Sequence, residues 1–491
     1  MKTQMNKFKN YLAYAVIIAS LSITASCGKE EGCTDPTATN YNSDAEEDDG
    51  SCEYEDDQGE EITITDESLE SGQTYDWTAN NTYILDGLVF VESGATLNIE
   101  PGTVIKGKTS PTTGDNTSSL IISRGATINA EGNPDNPIIF TAEDDDLNGN
   151  LLPSDCGRWG GVIILGSAPT YADGNTEVLI EGLPSTETRG TYGGSNAGDN
   201  SGILKYVSIR YSGVGIAPGD EIQGLTLGGV GNGTTIEYID IYSSCDDGIE
   251  IFGGTVDIKY IIAAFATDDA FDFDIGWTGK GQYLFALQLT GGGDAYDKAG
   301  EWDGAIPDDA ALYTKPDLAN MTLIGPGQSA TGAQNAIVMR DAFGGSLYNS
   351  ILVDFPGVGI EVEDLESGLD SYQRLLDDEI EIHNNTWAAF AGASDVDGLV
   401  KITSGNPTSS DAAELKAHLN DNGNTNIANN ILTNISRTPG SGSLDPRPTS
   451  GYDNAGPVPA GLESPGYRGA FDPNGELWIA GWTTFAKFGF L

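Results

Sequence analysis

The sequence predicts an all-β fold, a right-handed parallel β-helix with about 22 residues per coil and short helical insertions. The first observation is a repeat: Ala270–Phe273 has the apolar alternation of Gly248–Ile251 at a spacing of 22 residues, and Gly224–Leu227 precedes the latter by 24. The second is that Gly, Asn or Asp separates these segments of period two, which is typical of strands joined by turns. A β-sandwich, the alternative, gives no reason for a fixed period of this length.

Residues 1–26 have the order of parts of a secretory signal peptide. Lys2, Lys7 and Lys9 precede an apolar run that begins at Tyr11, and small residues follow it. The run is shorter than the ~20 residues with which a helix crosses a bilayer. The pattern therefore predicts a cleaved signal rather than an uncleaved anchor.

The junction Thr24–Cys27 resembles a bacterial lipobox, in which the cysteine is lipidated and becomes the new N-terminus. It differs from the usual pattern in having Thr24 where Leu is common. The next residues, Gly28–Glu31, resemble the surface-export signal of lipoproteins of the Bacteroidetes. The resemblance implies lipidation of Cys27, a tether at 27–32 and a surface-exposed position on the outer membrane, since a lipid anchor tethers a soluble domain to a membrane.

The other four of the five cysteines could form disulfides in an exported chain. Residues 33–54, with Cys33 and Cys52 near their ends, resemble the Cys-Thr-Asp-Pro…Asp-Asp-Gly-Ser-Cys box of secreted Bacteroidetes proteins. The resemblance implies a small module that a disulfide closes, with almost no core of its own. Cys156 and Cys245 either pair or remain buried thiols.

An acidic linker at 55–61 leads to the β-helix domain, which is expected at 62–491 with a C-terminal cap from about 456. An internal ladder of asparagine amides is expected at matching turns, at Asn320, Asn349, Asn384 or Asn385, and Asn429 or Asn430. Two loops are expected to carry short helices, at Leu365–Asp378 and Asp411–Asn420. The aromatic ending Tyr467–Trp482 suits closure of the last coil, whose strand edges would otherwise stay unpaired.

Four strings of the chain resemble a family of uncharacterised β-helix surface proteins of marine and soil bacteria. The resemblance extends from about Thr65 to Leu491 and implies the fold and the address, but it implies no particular activity. The strings that carry it are Ile99–Gly107, Arg158–Gly166, Asp246–Gly254 and Tyr467–Trp482.

The formal net charge of −51 limits the classes of partner. A surface this acidic repels nucleic acid and anionic lipid, so neither is expected to bind. It also repels polyuronates unless cations bridge the two. Binding of divalent cations is a natural use of so many carboxylates, and calcium is the expected cofactor.

The densest group of acidic residues lies on two adjacent repeats. Asp247 and Asp269 are one coil apart, so their carboxylates should stack about 4.8 Å apart on one edge. Glu250 and Asp272 should stack likewise on the outward side of a strand, while the neighbouring apolar side chains point inward. Carboxylates at this spacing repel each other unless cations or protons intervene.

Three interpretations of this group remain open. In the first, calcium bridges the stacked carboxylates Asp247, Asp269, Glu250 and Asp272. In the second, paired aspartates on adjacent coils act as acid and base, as in polygalacturonase-like β-helices, with candidate catalytic residues Asp246, Asp247, Asp268 and Asp269. In the third, the group is a solvated acidic turn.

The other residues that catalysis would need are not obvious in the sequence. His383 and His418 lie far along the chain, although polygalacturonase-like enzymes also use a nearby histidine and an Arg-x-Lys pair. A calcium-dependent lyase would need a basic residue as its base, and Lys259, Lys280 and Lys298 are candidates. The pair Arg340-Asp341 is interpreted as isolated and structural.

A second calcium site is predicted at the loop that begins at Asp144. Asp144, Asp146 and Asn148 follow the spacing of a calcium loop, with Asp155 at its twelfth position. An ordinary acidic loop is the alternative, because no helices are predicted on either side.

A third group combines carboxylates with a tryptophan. Asp294, Asp297 and Trp302 lie close together in the sequence, and an exposed tryptophan beside carboxylates suits stacking on a sugar ring. Trp277 and Trp159 could act similarly, although burial is the commoner outcome for tryptophan.

The leading functional hypothesis is a non-enzymatic cell-surface lipoprotein whose β-helix binds a glycan or a partner protein in adhesion or scaffolding. The alternative is a polysaccharide hydrolase or lyase that uses the Asp246–Asp274 region, and a third possibility is a structural subunit of a surface complex. A basic residue beside the aspartates in a groove would favour the enzyme, and a flat face would favour the binding protein.

Overall fold

The computed structural model describes residues 29–36, 38, 40–52, 59–172, 174–217, 220–290, 297–331, 335–391, 393, 395–404, 412–449 and 454–491. The chain divides into two compact units, Met1–Gln58 and Gly59–Leu491. The predicted signal peptide, the lipidation site Cys27 and most of the acidic linker lie outside the described residues. Within the described part of the chain, no helix has both the length and the apolar composition that a membrane crossing requires.

The smaller unit contains the predicted disulfide, between Cys33 and Cys52. Its strands Glu31–Gly32 and Glu47–Asp48 pair in parallel. Short turns in which acidic side chains accept hydrogen bonds from backbone amides complete the module, as where Asp48 accepts from the amide of Gly50. A module with so few buried apolar residues depends on its cross-link for order.

The larger unit is a parallel β-helix, as predicted, and one of its sheets has ten strands. This front sheet takes one strand from each coil, so its neighbours are separated in the sequence by a whole coil. Its strands are Leu88–Val91, Ser119–Ile122, Val162–Leu165, Leu225–Gly228, Ile249–Phe252, Phe271–Asp274, Gly300–Asp303, Ile337–Arg340, Ile360–Asp364 and Val400–Ser404.

The remaining parallel strands form a sheet of 18 strands, the side sheet, which bends around the other two faces of the coils. Long strands bridge both faces: the first half of Gly202–Ser212 pairs with Thr127–Glu131 and its second half with Ile138–Ala142. The strands of the side sheet are Glu61–Ile64, Thr74–Trp77, Thr82–Leu85, Thr96–Ile99, Val104–Gly107, Thr127–Glu131, Ile138–Ala142, Gly202–Ser212, Thr235–Ser244, Ile258–Ala264, Lys280–Leu287, Asp317–Ala319, Thr322–Ile324, Gly345–Tyr348, Ile351–Val353, Ile380–His383, Thr386–Ala388 and Thr425–Ile427.

Insertions between coils carry the other elements. Antiparallel pairs form between Glu177–Leu179 and Thr191–Gly193, between Val214–Ala217 and Asp220–Ile222, and between Leu432–Asn434 and Asp445–Pro448. The helices are Ser371–Leu376, Ala413–Asp421 and Thr484–Lys487, the first two on the predicted loops. Single 3-10 turns occur at Asp66–Ser68, Thr188–Gly190 and Val396–Gly398.

A stack of tyrosines marks the corner where the long strands of the side sheet bend. The ring centroids of Tyr206 and Tyr238, and of Tyr238 and Tyr260, are 4.4 Å apart, and those of Tyr260 and Tyr283 are 4.8 Å apart. Each of these tyrosines has a left-handed backbone, with φ between 50° and 59°. Such a backbone is costly for a bulky residue, and ring stacking on adjacent coils offsets part of that cost.

On later coils asparagine replaces tyrosine at this corner, at Asn320, Asn349 and Asn384. Their amides do not form one continuous ladder. The amide of Asn349 donates to the carbonyl of Gly456, and that of Asn320 donates to the carbonyl of Tyr467. Asparagine tolerates the left-handed backbone, and its amide here binds a passing chain.

That passing chain is the C-terminal segment, residues 454–491. Trp478 lies 5.4 Å from the ring of Tyr260, and Trp482 lies 5.3 Å from that of Tyr206, both edge-on. Thr484 donates through its amide and its hydroxyl to the buried Asp240 on a middle coil. The aromatic ending was expected to close the last coil, but it runs back along the corner over earlier coils instead.

Candidate functional site

The middle strands of the front sheet point carboxylates outward. Glu250, Asp272 and Glu301 lie directly opposite one another on adjacent coils, and we call them the acidic row. The residues between them point inward and are fully buried, as the alternation predicts: Ile249, Ile251, Phe271 and Phe273. The predicted stacking of Glu250 on Asp272 is therefore confirmed.

The turn that precedes these strands carries a second set of carboxylates. Asp246, Asp247, Asp268 and Asp269 form this acidic turn on two adjacent coils. The amide of Asp269 donates to Asp247 at 2.8 Å, and the amide of Lys298 donates to Asp269 at 2.7 Å. Asp247 and Asp269 are buried, so these hydrogen bonds hold their carboxylates in a fixed register.

The acidic turn and the acidic row form one continuous group of oxygens. Among the described residues, four sets of three carboxylates have ligand atoms that all lie within 4.8 Å of one another. Asp247 and Asp269 each belong both to a set in the turn and to a set that reaches the row. The sets are Asp246 with Asp247 and Asp268, Asp247 with Glu250 and Asp272, Asp268 with Asp269 and Asp297, and Asp269 with Asp272 and Glu301.

Burial raises the pKa of the carboxyl groups in this region. It raises the pKa of Asp246 to about 7, with a further contribution from Asp268 beside it. The pKa values of Asp247 and Glu250 also lie well above their usual range, first because of burial and then because of the neighbouring carboxylates. Without cations, several of these groups would retain protons at neutral pH.

Three oxygens in the acidic row have no hydrogen-bond partner among the described residues, and one of them, Oε1 of Glu301, forms an ion pair with Arg340. The other two are Oε2 of Glu250, whose side chain is 6% exposed, and Oδ1 of Asp272. A buried carboxylate oxygen without a partner is costly, and a hard cation such as calcium takes oxygen ligands of this kind. The donor set of Asp247, Glu250 and Asp272 therefore fits a divalent cation.

A second outward row lies beside the acidic row and contains Asp274 and Asp303. Burial raises the pKa of Asp274 to about 8, with Asp303 adding to the shift. Burial also raises the pKa of Asp303 to about 7, although the guanidinium of Arg340 opposes the shift. Carboxyl groups thus occupy a second outward row of the front sheet as well.

Two basic side chains border the acidic group. Nζ of Lys298 lies 3.7 Å from Asp269 and 3.5 Å from Glu301. Arg340 pairs with Glu301 at 2.6 Å and with Asp303 at 2.8 Å. The interpretation of Arg340 as part of an isolated pair is therefore wrong, because Arg340 lies opposite Asp303 in the front sheet.

The other two lysines considered as bases lie away from the acidic group. Lys259 pairs with Glu463 of the C-terminal segment, and Lys280 pairs with Asp317. Burial lowers the pKa of Lys298, but Asp269 and Glu301 outweigh it and raise that pKa above its usual value. A lysine held in its charged form is a poor proton acceptor.

The predicted sugar-stacking tryptophan is not available to a ligand. Trp302 is fully buried and points into the β-helix, where its ring lies 5.8 Å from that of Phe273. Trp277 and Trp159 are also fully buried. Of the carboxylates predicted with Trp302, Asp297 is exposed and pairs with Lys298, whereas Asp294 lies outside the described residues.

The outer face of the early strands is apolar and covered. Phe90, Ile121 and Ile163 point outward there and pack with Tyr192 and other residues of the insertions. Phe252, which follows Glu250 by two residues, belongs to the same outer cluster. The acidic row therefore begins where this apolar cover ends.

The predicted calcium loop at Asp144 has a different set of contacts. Arg158 pairs with Asp144 at 3.2 Å and with Asp155 at 3.3 Å. Asp146 accepts hydrogen bonds from the amides of Asn148 and Asn150. Because a guanidinium already neutralises two of the predicted ligands, we propose no cation site there.

Cys156 and Cys245 form a disulfide that ties the segment after this loop to the residue before Asp246. The bond closes a loop with a sequence separation of 89 residues. We expect the Cys156→Ser, Cys245→Ser variant to lose about 2–4 kcal/mol of unfolding free energy, because the unfolded chain gains conformational freedom. Urea denaturation measures the loss, and an unchanged midpoint would show that the bond contributes nothing to stability.

Comparison with protein families places the whole site inside a known type of domain. A family model described as a pectate-lyase like beta helix domain matches residues 69–436. The match includes the acidic turn, the acidic row and both basic side chains beside them. Searches of curated proteins and of solved structures find no match. The comparison therefore supports the fold without assigning an activity.

Proposed function

This chain belongs to the pectate-lyase-like β-helix family, and we propose that it is a lipid-anchored cell-surface protein that binds an anionic polysaccharide through divalent cations held at its acidic row. The observation that carries the proposal is the buried Glu250, whose Oε2 has no partner among the described residues. Glu250, Asp247 and Asp272 each offer one carboxylate oxygen, and these three oxygens lie within 4.8 Å of one another.

The cation is proposed because burial would otherwise force protons onto these groups. Divalent cations accept several carboxylate oxygens at once and remove the repulsion between stacked coils. Asp247 of the acidic turn belongs to two overlapping donor sets, one with Asp246 and Asp268 and one with Glu250 and Asp272 of the acidic row. Calcium is the proposed ion, since all of the candidate ligands are oxygens.

An anionic polysaccharide is proposed as the ligand because bound cations would attract it to a surface that otherwise repels it. A chain with a formal net charge of −51 attracts polyanions only where cations or basic side chains reverse the local sign. Cations in the acidic row would do so, and Lys298 and Arg340 border the same surface. The location on the outer membrane rests on the lipobox-like junction at Cys27 and the acidic residues that follow it.

Cleavage of the polysaccharide is a second candidate function, and Asp246 and Asp268 favour it. These two carboxyl groups lie on adjacent coils and are in part accessible to solvent, and partial burial raises both of their pKa values. With a pKa of about 7, Asp246 could donate a proton near neutral pH while another carboxylate remains ionised. These carboxyl groups suit acid–base roles better than Lys298 does, because Lys298 is held charged.

Calorimetric titration with calcium tests the proposal on the mature chain. We expect the Glu250→Gln variant to bind calcium about 10-fold more weakly or worse, because it loses a charged ligand. The Glu131→Gln variant, which changes an exposed acid at the end of another strand, should bind as the wild type does. Absence of calcium binding to the wild type would refute the proposed cation site.

A panel of anionic and neutral polysaccharides then separates binding from cleavage. We expect calcium-dependent retention of the protein on an anionic polysaccharide and no retention on neutral ones. Release of reducing ends or unsaturated products that Asp246→Asn abolishes would establish the second candidate function. Calcium-dependent retention without product release would leave the protein a binding protein.

A further inference from the structure

A small pocket lies at the end of the solenoid, away from the acidic row. It has a volume of about 290 Å³ and is lined in part by Trp387, Val396, Leu399, Leu419 and Asn426. The last strands of the front sheet and of the side sheet, Val400–Ser404 and Thr425–Ile427, are close to these residues in the sequence. The volume is at the lower end for ligand pockets and suits one small ring.

Two side chains bring unpartnered polar atoms to this pocket. Trp387 is 1% exposed, yet its Nε1 has no hydrogen-bond partner among the described residues. Both Nδ2 and Oδ1 of Asn426 are also buried without a partner. Buried polar groups in folded proteins are normally paired, so three such atoms in neighbouring side chains indicate something that pairs with them.

The register of the side sheet places these atoms together. Trp387 lies directly opposite Asn426 on adjacent strands, which are about 4.8 Å apart. Trp387 follows Leu323 and Leu352 in the same row of the sheet, and both are fully buried. Asn426 is thus a polar residue at the end of an apolar row.

Asn424, another polar residue in the lining of the pocket, already has hydrogen-bond partners. The amide of Asn424 donates to the carbonyls of Ile382 and Leu419, and its oxygen accepts from the amide of Asn385. Among the described residues that line the pocket, Trp387 and Asn426 are the ones whose buried side-chain polar atoms have no hydrogen-bond partner.

From these observations we infer that the pocket binds a neutral monosaccharide-sized ring with hydroxyl groups. A hydroxyl group can accept from Nε1 of Trp387 or Nδ2 of Asn426 and can donate to Oδ1 of Asn426. The apolar face of the ring would contact Leu399 and Leu419. Asp395 is the ionisable residue in the lining, so an anionic ligand would be repelled.

This site is independent of the proposed cation site. Its residues belong to the last coils, whereas the acidic row lies on the middle strands of the front sheet. A ring that fits this volume is expected to bind with a dissociation constant on the order of 1 mM, because few atoms make contact.

Ligand-detected NMR on the full mature chain tests the inference with glucose, galactose, mannose, fucose and N-acetylglucosamine as probes. We expect saturation transfer to at least one of them, without any requirement for calcium. The Asn426→Leu variant should abolish the signal, and Trp387→Phe should weaken binding about 10-fold because one donor is lost. Asn429→Leu, a change to an exposed neighbour, should leave binding unchanged.

Binding that Asn426→Leu leaves intact would overturn the assignment of this pocket. If none of the five probes binds the wild type at concentrations well above the expected dissociation constant, the inference itself is overturned. If Asn426→Leu lowers the melting temperature, Asn426→Asp keeps the size of the side chain and removes its donors, so loss of binding in that variant decides the matter.

Discussion

Chelation of divalent cations is expected to lower the melting temperature of the protein strongly near pH 8 and hardly at all near pH 4. The carboxyl groups of Asp274, Asp246 and Asp303 have pKa values of about 8, 7 and 7 in the folded chain, against an ordinary value of 3.8. At pH values between the ordinary pKa and these folded-state pKa values, the folded chain keeps protons that the unfolded chain has released. Stability without cations therefore falls as the pH rises through this window.

The expected loss is large because several groups contribute. One pKa unit corresponds to about 1.4 kcal/mol, so even half of the shift at Asp274 is on the order of 3 kcal/mol. Cations bound at the donor sets, to which Asp246 belongs, replace protons there and neutralise the charge beside the other carboxyl groups, so the difference between calcium-loaded and chelated protein should widen as the pH rises. At pH values below the ordinary pKa these carboxyl groups are protonated in both the folded and the unfolded chain. The cation then has no carboxylate ligands, so its removal has little effect.

Differential scanning calorimetry with and without a chelator, over a series of pH values, measures this effect. The Asp272→Asn variant should make the chelated protein more stable at high pH, because it removes one of the crowded charges. Glu131→Gln provides the comparison, since it removes an equal charge from an exposed strand position. Equal melting temperatures with and without the chelator at every pH would contradict the prediction.

Replacement of Trp482 by alanine is expected to remove about 3–5 kcal/mol of unfolding free energy, as for other buried tryptophans. Trp482 is 3% exposed and contacts Tyr206 edge-on, and its Nε1 donates to the carbonyl of Trp478 at 2.8 Å. Loss of the ring would leave a cavity over the tyrosine stack and detach part of the C-terminal segment.

Urea denaturation compares this variant with two others. Trp482→Phe keeps an aromatic edge against Tyr206 and should lose less, while Leu152→Ala changes a side chain that is 60% exposed and should lose little. A Trp482→Ala variant as stable as Leu152→Ala would show that the C-terminal segment does not stabilise the coils.

The periodic part of the fold and site could be predicted from the sequence because their spacing is regular. Glu250 and Asp272 are 22 residues apart with no insertion between them, so counting places one on the other. The alternation within Gly300–Asp303 also implies that Trp302 points inward when Glu301 points outward. The prediction that Trp302 is exposed was wrong, because it relied on the acidic residues nearby and not on the alternation of side chains along the strand.

Insertions made the rest of the site unpredictable by counting. Asp303 and Arg340 lie opposite each other although 37 residues separate them, because a long insertion lies between their strands. No period reveals such a pair. The route of the C-terminal segment could not be predicted from the sequence either. An aromatic ending can pack on the end of a solenoid or on its side, and only the tertiary contacts distinguish these two positions.

The course of the C-terminal segment has a consequence for the order of events during synthesis. Thr484 contacts Asp240 and Ser208, which leave the ribosome 244 and 276 residues earlier. Coils can form one after another on the nascent chain, but the tyrosine corner stays uncovered until residues 454–491 have been made. A product that terminates before residue 454 lacks the segment that covers this corner, so proteases would meet a less stable structure.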